Sequence, residues 1–501
     1  MLSVYPVSAS GEFNDYRALW VTRFNYASTN AATVNAIVDN AARLGITDLM
    51  FQVRGRADAL YNSNFEPRAE NLNPGWDPLQ TAIDRAHDHG IKLHAWINTM
   101  PLWQGTTPPQ NGAHPFYQTD PSYRIHDASG NPQPLGSSYV TANPVSQAWH
   151  DHVTNVAGDI VSNYNVDGLH MDYIRWVGST AWSDLPQDPE SLQAFTNATG
   201  LPAVSTHAES YRDFIRGRIG DLVASVSQTA RGLDPGIDVS AAVWRDPDVG
   251  RSQVLQDYRV WLEQDYLDTV IPMIYLSESN NHLFQPNLSN VLAIDTQARV
   301  APGLGVYLHS DPDFTLSQLN TLYQNGTDGA TLYAYSEFFQ AGALGVERFG
   351  KIRDFLDTVG REIIPITDFE IGEGYFENSP TQSGSNTGVF AATANRTVTT
   401  AQEGNASQEL TVTGDAGGWF LRHLAGIDYR GDVASTDGNL PLAADGYLGV
   451  WLKTATSGLE VSLALDDPAT ADRGVRRSLI ADDQWHLYEW NLDDDAMWES
   501  W

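Results

Sequence analysis

Apolar residues recur in two alternating rhythms along the first two-thirds of the chain. Short apolar runs read as buried strands: ALWVTRF (18–24), DLMFQVR (48–54), LHAWIN (93–98) and GLHMDY (168–173). DVSAAVW (238–244), TVIPMIYL (269–276), VAPGLGVYL (300–308) and GATLYAYS (329–336) complete a set of eight. Between them, helical spacing appears in ATVNAIVDNAARLG (32–45), PLQTAIDRAHDHG (78–90), SQAWHDHVTNVAGDIVSNY (146–164) and YRDFIRGRIGDLVASVSQTARG (211–232). Several of these stretches end in Gly, as helix C-termini favour. Eight strands with intervening helices predict a (β/α)8 TIM barrel over residues 12–362. A doubly wound open sheet is the alternative, but no glycine-rich phosphate turn follows the first strand. The longest insertion, about 99–145, is rich in Pro, Gly, Asn and Ser and is expected to cover the barrel mouth.

The rhythm changes after Arg361, where EIIPITDFE reads as a linker. Helical periodicity gives way to alternating runs: RTVTTA (396–401), QELTVTG (408–414), YLGVWLKT (447–454), LEVSLALDD (459–467) and WHLYEWNL (485–492). Gly, Asp and Asn turns separate them, so residues 363–501 are expected to form a smaller all-β sandwich. With no closing strand after WNLDDDAMWESW, that domain is expected to be cut short.

Composition narrows the function. The formal charge of −33 repels nucleic acid and anionic membranes, which removes both as partners, and suits a saline environment. With no cysteine, thiol and disulfide chemistry are absent. No stretch approaches the roughly 20 apolar residues of a membrane helix. Residues 1–10, MLSVYPVSAS, lack the basic start and apolar run of a signal peptide. Either the protein is cytoplasmic or the numbering begins after a removed leader, and the substrate argued below favours a secreted or periplasmic protein.

In a barrel, reactive residues gather at the C-terminal strand ends. The segment VDGLHMDYIRW (166–176) is the most informative of these, a buried strand ending in Asp172 and followed by Tyr173, Arg175 and Trp176. Glycoside hydrolysis needs two carboxyl groups flanking one bond. Asp172 is the first candidate, unless it only pairs with Arg175 or Arg54. Its partner is sought in Glu278, then Asp246, then Glu337, beyond strands six, five and eight. Tyr173, Trp176, Trp96 and Trp103 would supply stacking surfaces, and Gln52 and Asn98 hydrogen bonds to hydroxyls; Trp244 and Tyr275, at the ends of strands five and six, are further substrate-binding candidates. His170 points the same way as Asp172 and either tunes it or is a satisfied core histidine; His309 stands alone beyond strand seven.

Arg23, Arg54, Arg56, Arg175 and Arg245 all fall at strand ends, a local reversal of sign in a chain with only 29 Lys and Arg. They either bind a uronate or sulfate on the substrate or orient Asp58, Asp172 and Asp246. His87 and His89 cannot share a helix face, and no HExxH, P-loop or G-x-S-x-G motif occurs. No catalytic metal or cofactor is therefore expected. Trp419, Trp451, Trp485 or Trp490 of the C-terminal domain could hold a sugar, and Asp368 and Glu370 could bind a structural Ca2+.

The runs RALWVTRF, ITDLMFQVRGRADALY, DPLQTAIDRAHDHGIKLHAWIN, NYNVDGLHMDYIRW and VIPMIY resemble the glycosyl-hydrolase-like family 10 domain over about residues 16–345. That resemblance implies a (β/α)8 barrel, export from a bacterial cell and action on a polysaccharide. It also implies kinship with α-galactosidase-like barrels, which would make Asp172 the nucleophile and Glu278 the acid/base. Family members often carry a second acidic residue after the strand-four Asp, where this chain has Tyr173. The expected function is hydrolysis of a glycosidic bond in a bacterial or marine/algal polysaccharide. The alternative is a glycan-binding barrel without catalysis, and the oligomeric state is open.

Overall fold

The computed structural model describes residues 2–6, 15–119, 122–176, 185–202, 208–359, 364–367, 369, 386–402, 405–423, 446–466, 471–491 and 495–500. Its chain divides into two compact units, Gly11–Val359 and Met1–Ser10 with Gly360–Trp501.

The first unit is a closed (β/α)8 barrel. Its strands are β1 (Arg17–Val21), β2 (Asp48–Arg54), β3 (Lys92–Asn98), β4 (Gly168–Asp172), β5 (Asp238–Trp244), β6 (Thr269–Met273), β7 (Gly303–Gly305) and β8 (Ala330–Tyr333). Each pairs in parallel with the next, and β8 closes on β1 through Ala330 opposite Arg17. A closed ring leaves no unpaired edge.

Period-two alternation sorts the strand residues into two cores. Leu19 and Val21 of β1, Leu49, Phe51 and Val53 of β2, and Leu169 and Met171 of β4 point outward into the layer beneath the helices. Ala18, Trp20, Met50, Trp96, Ala242 and Ile271 point inward and fill the barrel axis. Fully burying one large apolar side chain contributes about 1.5–3 kcal/mol, so both layers hold the ring closed.

The helices start and stop where local chemistry directs. Helix α1 (Ala31–Leu44) is capped by the Asn30 side chain and ends at Gly45 in the left-handed region, φ 82°. Helix α2 (Pro78–Asp88) begins with Pro at its first position and Asp77 as cap, and α3 (Gln147–Asn163) is capped by Ser146. In the insertion, Pro101–Gly105 and Gly136–Thr141 pair as an antiparallel hairpin. Among the described residues, no helix is long and apolar enough to cross a membrane.

The second unit consists of small antiparallel sheets. Its largest places Leu2–Pro6 between Ile364–Thr367 and Gly446–Lys453, which pairs in turn with Trp485–Asn491. The segment read as a linker thus contributes a strand, because the chain's first residues supply its partner, a long-range pairing no local pattern reveals. Val389–Thr397 pairs with Ser407–Gly414, beginning well before the expected 396. Trp490 is fully buried, its indole N–H donating to the Val475 carbonyl at 2.7 Å, and Trp451 is also buried. A Cβ at Gly474 would meet the Trp490 ring at 2.3 Å, so that close approach requires glycine. Trp485 is half-buried and Trp419 is exposed. Asp368 and Glu370 lie outside the described residues.

Candidate active site

At the C-terminal ends of the barrel strands lies a cavity of about 550 Å3. Ten of the expected site residues line it: Arg23, Gln52, Trp96, Asn98, Asp172, Tyr173, Arg175, Trp244, Arg245 and Tyr275. Asp172 is the only carboxylate among the described lining residues.

Strand alternation turns His170 and Asp172 into the barrel, one above the other. Asp172 is buried, and its carbonyl is fixed by the Thr99 N–H at 2.8 Å. Its Oδ1 accepts the Tyr173 N–H at 2.5 Å and Arg175 Nη1 at 3.3 Å. Burial pushes the carboxyl pKa up, and the nearby Arg175 charge and the Tyr173 N–H offset that only in part. Tyr173 adopts φ 53°, a left-handed conformation costing a bulky residue about 1–3 kcal/mol. Its ring lies 4.3 Å under the Arg175 guanidinium and 5.2 Å from Tyr139.

His170 is a satisfied core histidine. Its Nε2 accepts from the Trp20 indole at 3.1 Å, which places the ring proton on Nδ1, facing Ser240 Oγ at 2.9 Å. Burial drives its pKa down to about 3, so the ring stays neutral. Above it, Tyr275 and Tyr333 stack at 5.6 Å and Tyr307 meets both edge-on. Burial raises the Tyr333 phenol to about 12, keeping it a hydrogen-bond donor.

Nine expected site residues stand elsewhere. Arg54 is fully buried outside the barrel axis: a bulge between Gln52 and Arg54 turns it outward. There it forks onto Glu66 at 2.7–3.1 Å, and Glu66 also meets His152 at 2.8 Å. Burial would raise the Glu66 pKa, but the Arg54 charge and His152 hold it at about 2. Arg56 pairs with Asp58 at 3.1 Å and covers Trp103 at 3.9 Å. Trp103 and Trp176 belong to the outer core. His309 is buried against Thr315 at 2.9 Å, its pKa lowered by burial to about 4.

The three acids sought as partners of Asp172 also lie off the cavity wall. Asp246 caps the short helix Pro247–Gln253 and accepts from Asn290 at 2.8 Å. Glu278 is a largely exposed side chain that accepts the Ser310 N–H at 2.8 Å and Oγ–H at 3.0 Å. Burial raises each of these two pKa values, but the hydrogen bonds taken together outweigh it and lower both. Glu337 sits in the helix Ser336–Phe339 and accepts from Ser336 at 3.0 Å.

Seven lining residues were not among the expected site: Thr22, Phe24, Gln104, Tyr139, Met273, Tyr307 and Tyr333. Gln104 and Tyr139 arrive on the insertion hairpin, which strand-end reasoning does not reach. Tyr333 follows from the alternation of β8, because Thr331 and Tyr333 share one face. Tyr335, two residues further on, instead stacks on Phe339 at 4.7 Å. No group of three or more His, Cys, Asp or Glu suited to a metal ion occurs among the described residues.

Comparison with known proteins gives consistent results. The family model described as glycosyl hydrolase-like 10 matches residues 15–301. Glycosyl hydrolase DigH of Escherichia coli (strain K12) is 28% identical over 271 residues, covering 48% of this chain and 56% of DigH. Glycosyl hydrolase YngK of Bacillus subtilis (strain 168) is 22% identical over 311 residues, 55% of this chain and 57% of YngK. The chain thus matches little more than half the length of these curated relatives. Among solved structures, the PgaB (BpsB) glycoside hydrolase domain from Bordetella bronchiseptica shares the fold at a TM-score of 0.53 and 14% identity. That match covers 67% of this chain and 98% of the Bordetella domain.

Proposed function

The chain belongs to the glycosyl hydrolase-like 10 family, and from that premise we propose that its barrel hydrolyses a glycosidic bond of an oligo- or polysaccharide through Asp172. One observation carries the reading: a buried carboxylate with a raised pKa stands in a cavity walled by Trp96, Trp244 and a tyrosine cluster. A carboxyl group whose pKa burial raises is biased toward the protonated form, and that bias suits the donor that protonates a leaving glycosidic oxygen. Aromatic faces suit the apolar faces of sugar rings, and the amides of Gln52 and Asn98 suit hydroxyls.

The electrostatics favour a division of labour opposite to the one implied by α-galactosidase-like barrels. Asp172 is biased toward the protonated form, and Glu278 and Asp246 toward the ionised form. In this scheme Asp172 delivers its proton to the bridging oxygen. A water molecule attacks the anomeric carbon and yields its proton to an ionised rim acid, Glu278 first among the candidates. An acid that works through water stands farther from the donor than a direct nucleophile, about 6.5–9.5 Å against 5–5.5 Å. A polysaccharide substrate also favours action outside the cytoplasm, in the periplasm or beyond the cell.

The test is release of reducing ends from a panel of neutral and charged glycans by the wild type and by Asp172→Ala. Release that vanishes in the folded variant supports the reading. Binding without release by the wild type would favour a glycan-binding barrel, the reading suggested by the single lining carboxylate.

A further inference from the structure

The five strand-end arginines separate into those with a carboxylate partner and those without. Arg54 holds Glu66, Arg56 holds Asp58 and Arg175 contacts Asp172. Arg23 and Arg245 have no carboxylate partner among the described residues, and both line the cavity. Arg245 is only half-buried, so water can solvate it. Arg23 is 5% exposed, and a guanidinium so withdrawn from water calls for a counter-charge.

The described residues provide Arg23 with a seat but no anion. The Gln52 side-chain oxygen accepts its backbone N–H at 3.1 Å and its Nη1 at 3.4 Å. Gln52 is oriented in turn by its own amide donating to Asn98 Oδ1 at 3.3 Å. Gly55 leaves the room: a Cβ there would meet the Arg23 guanidinium at 2.5–2.8 Å. Phe24 covers the guanidinium at 4.4 Å from its ring centroid. The charge is therefore positioned and roofed, and the cavity is the side left open for a partner.

We propose that Arg23 seats a negatively charged substituent of the sugar, a carboxylate or a sulfate ester, in the cavity that contains Asp172. This rests on the glycan reading above and specifies its substrate class. A planar guanidinium with free N–H donors matches either group in two-point fashion. In a chain of net charge −33, a buried arginine without a counter-ion gives an anionic ligand a favourable place that the rest of the surface denies it.

The experiment uses the full chain and two matched pairs: an oligogalacturonide with its carboxyl-reduced counterpart, and a sulfated galactan oligosaccharide with its desulfated counterpart. Calorimetric binding to the Asp172→Asn protein and reducing-end release by the wild type are measured for all four, each with and without Arg23→Gln and Arg23→Lys. The expected result is tighter binding and faster release for a charged member than for its neutral counterpart. Arg23→Gln should lower affinity and kcat/KM for that member about 10- to 100-fold, the loss of one charge-assisted contact, and Arg23→Lys should lose less. The neutral counterparts should change by less than about 3-fold, within the effect of an exposed contact. The pair that responds distinguishes carboxylate from sulfate. Equal handling of charged and neutral members by the wild type, or equal losses on both in Arg23→Gln, overturns the proposal. Charge-dependent binding through Arg23 with no release from any member supports the seat and refutes only the hydrolase reading.

Discussion

Arg54 and Arg23 are both buried arginines near the C-terminal ends of neighbouring strands, and they differ in one respect. Arg54 sits at 0% exposure with a forked carboxylate, a histidine behind it and the Trp149 ring 5.4 Å away. Arg23 sits at 5% exposure with an amide oxygen and, among the described residues, no carboxylate. The same contrast separates their surroundings. Outside the axis, the Arg54–Glu66–His152 network pairs each charged group with an opposite or hydrogen-bonding partner. Around the mouth such pairing is left incomplete: an arginine without an anion, a carboxylate held toward its protonated form, and Tyr173 in a left-handed conformation. Closed networks contribute stability, and open ones are positions where a ligand completes the set.

The contrast breaks most visibly on the closed side. Glu66→Ala leaves Arg54 buried and unpaired and should cost about 3–5 kcal/mol, read as a lowered urea midpoint at unchanged m-value. Arg23→Gln removes a charge that had no partner to lose and should change stability by less than about 1 kcal/mol. Similar costs for the two variants would erase the distinction.

Next in size is the interior histidine. His170→Leu strands the Trp20 indole and the Ser240 hydroxyl and should cost about 1–3 kcal/mol in the same assay. The pH dependence carries a definite sign. His170 is neutral when folded, with a pKa near 3 against an ordinary 6.5. Unfolded chains therefore bind the extra proton first, and stability falls as pH drops from 6.5 toward 3. Glu66, held at about 2, contributes above its ordinary value of 4.5 and loses that contribution as pH falls toward 2. The melting temperature of His170→Leu should therefore decline less between pH 6.5 and 4.5 than that of the wild type.

The smallest expected effect concerns stability at the mouth. The Asp172 pKa is raised, so ionising this group costs folding free energy at neutral pH and nothing below the ordinary carboxylate range. Asp172→Asn should therefore melt slightly higher than the wild type at pH 7, and the gain should vanish near pH 3. A lower melting temperature at pH 7 would mean that the carboxylate is structural.

The sequence revealed the barrel because its strands and helices are locally written: alternating apolar runs, capping Asn, Asp and Ser, and C-terminal Gly. It also pointed to residues that follow strand alternation onto the cavity wall, such as Gln52, Trp96, Asn98, Asp172 and Tyr275. It failed where geometry departs from alternation. The bulge before Arg54 reverses the side that residue faces, and Glu66, twelve residues on, becomes its partner. Tyr139 reaches the mouth through a hairpin whose strands lie more than thirty residues apart, as Gln104 pairs with Tyr139. Glu278 lies in the expected loop beyond β6, but Ser310 holds it at the surface. Such tertiary partners leave no periodic trace.

The most direct test of the account is kcat/KM for reducing-end release by Asp172→Asn against the wild type, on a glycan the wild type cleaves. The account predicts a loss of about 10²- to 10⁴-fold, the range of a lost proton donor, in a protein that still binds the glycan and unfolds cooperatively. Near wild-type turnover in Asp172→Asn would contradict it.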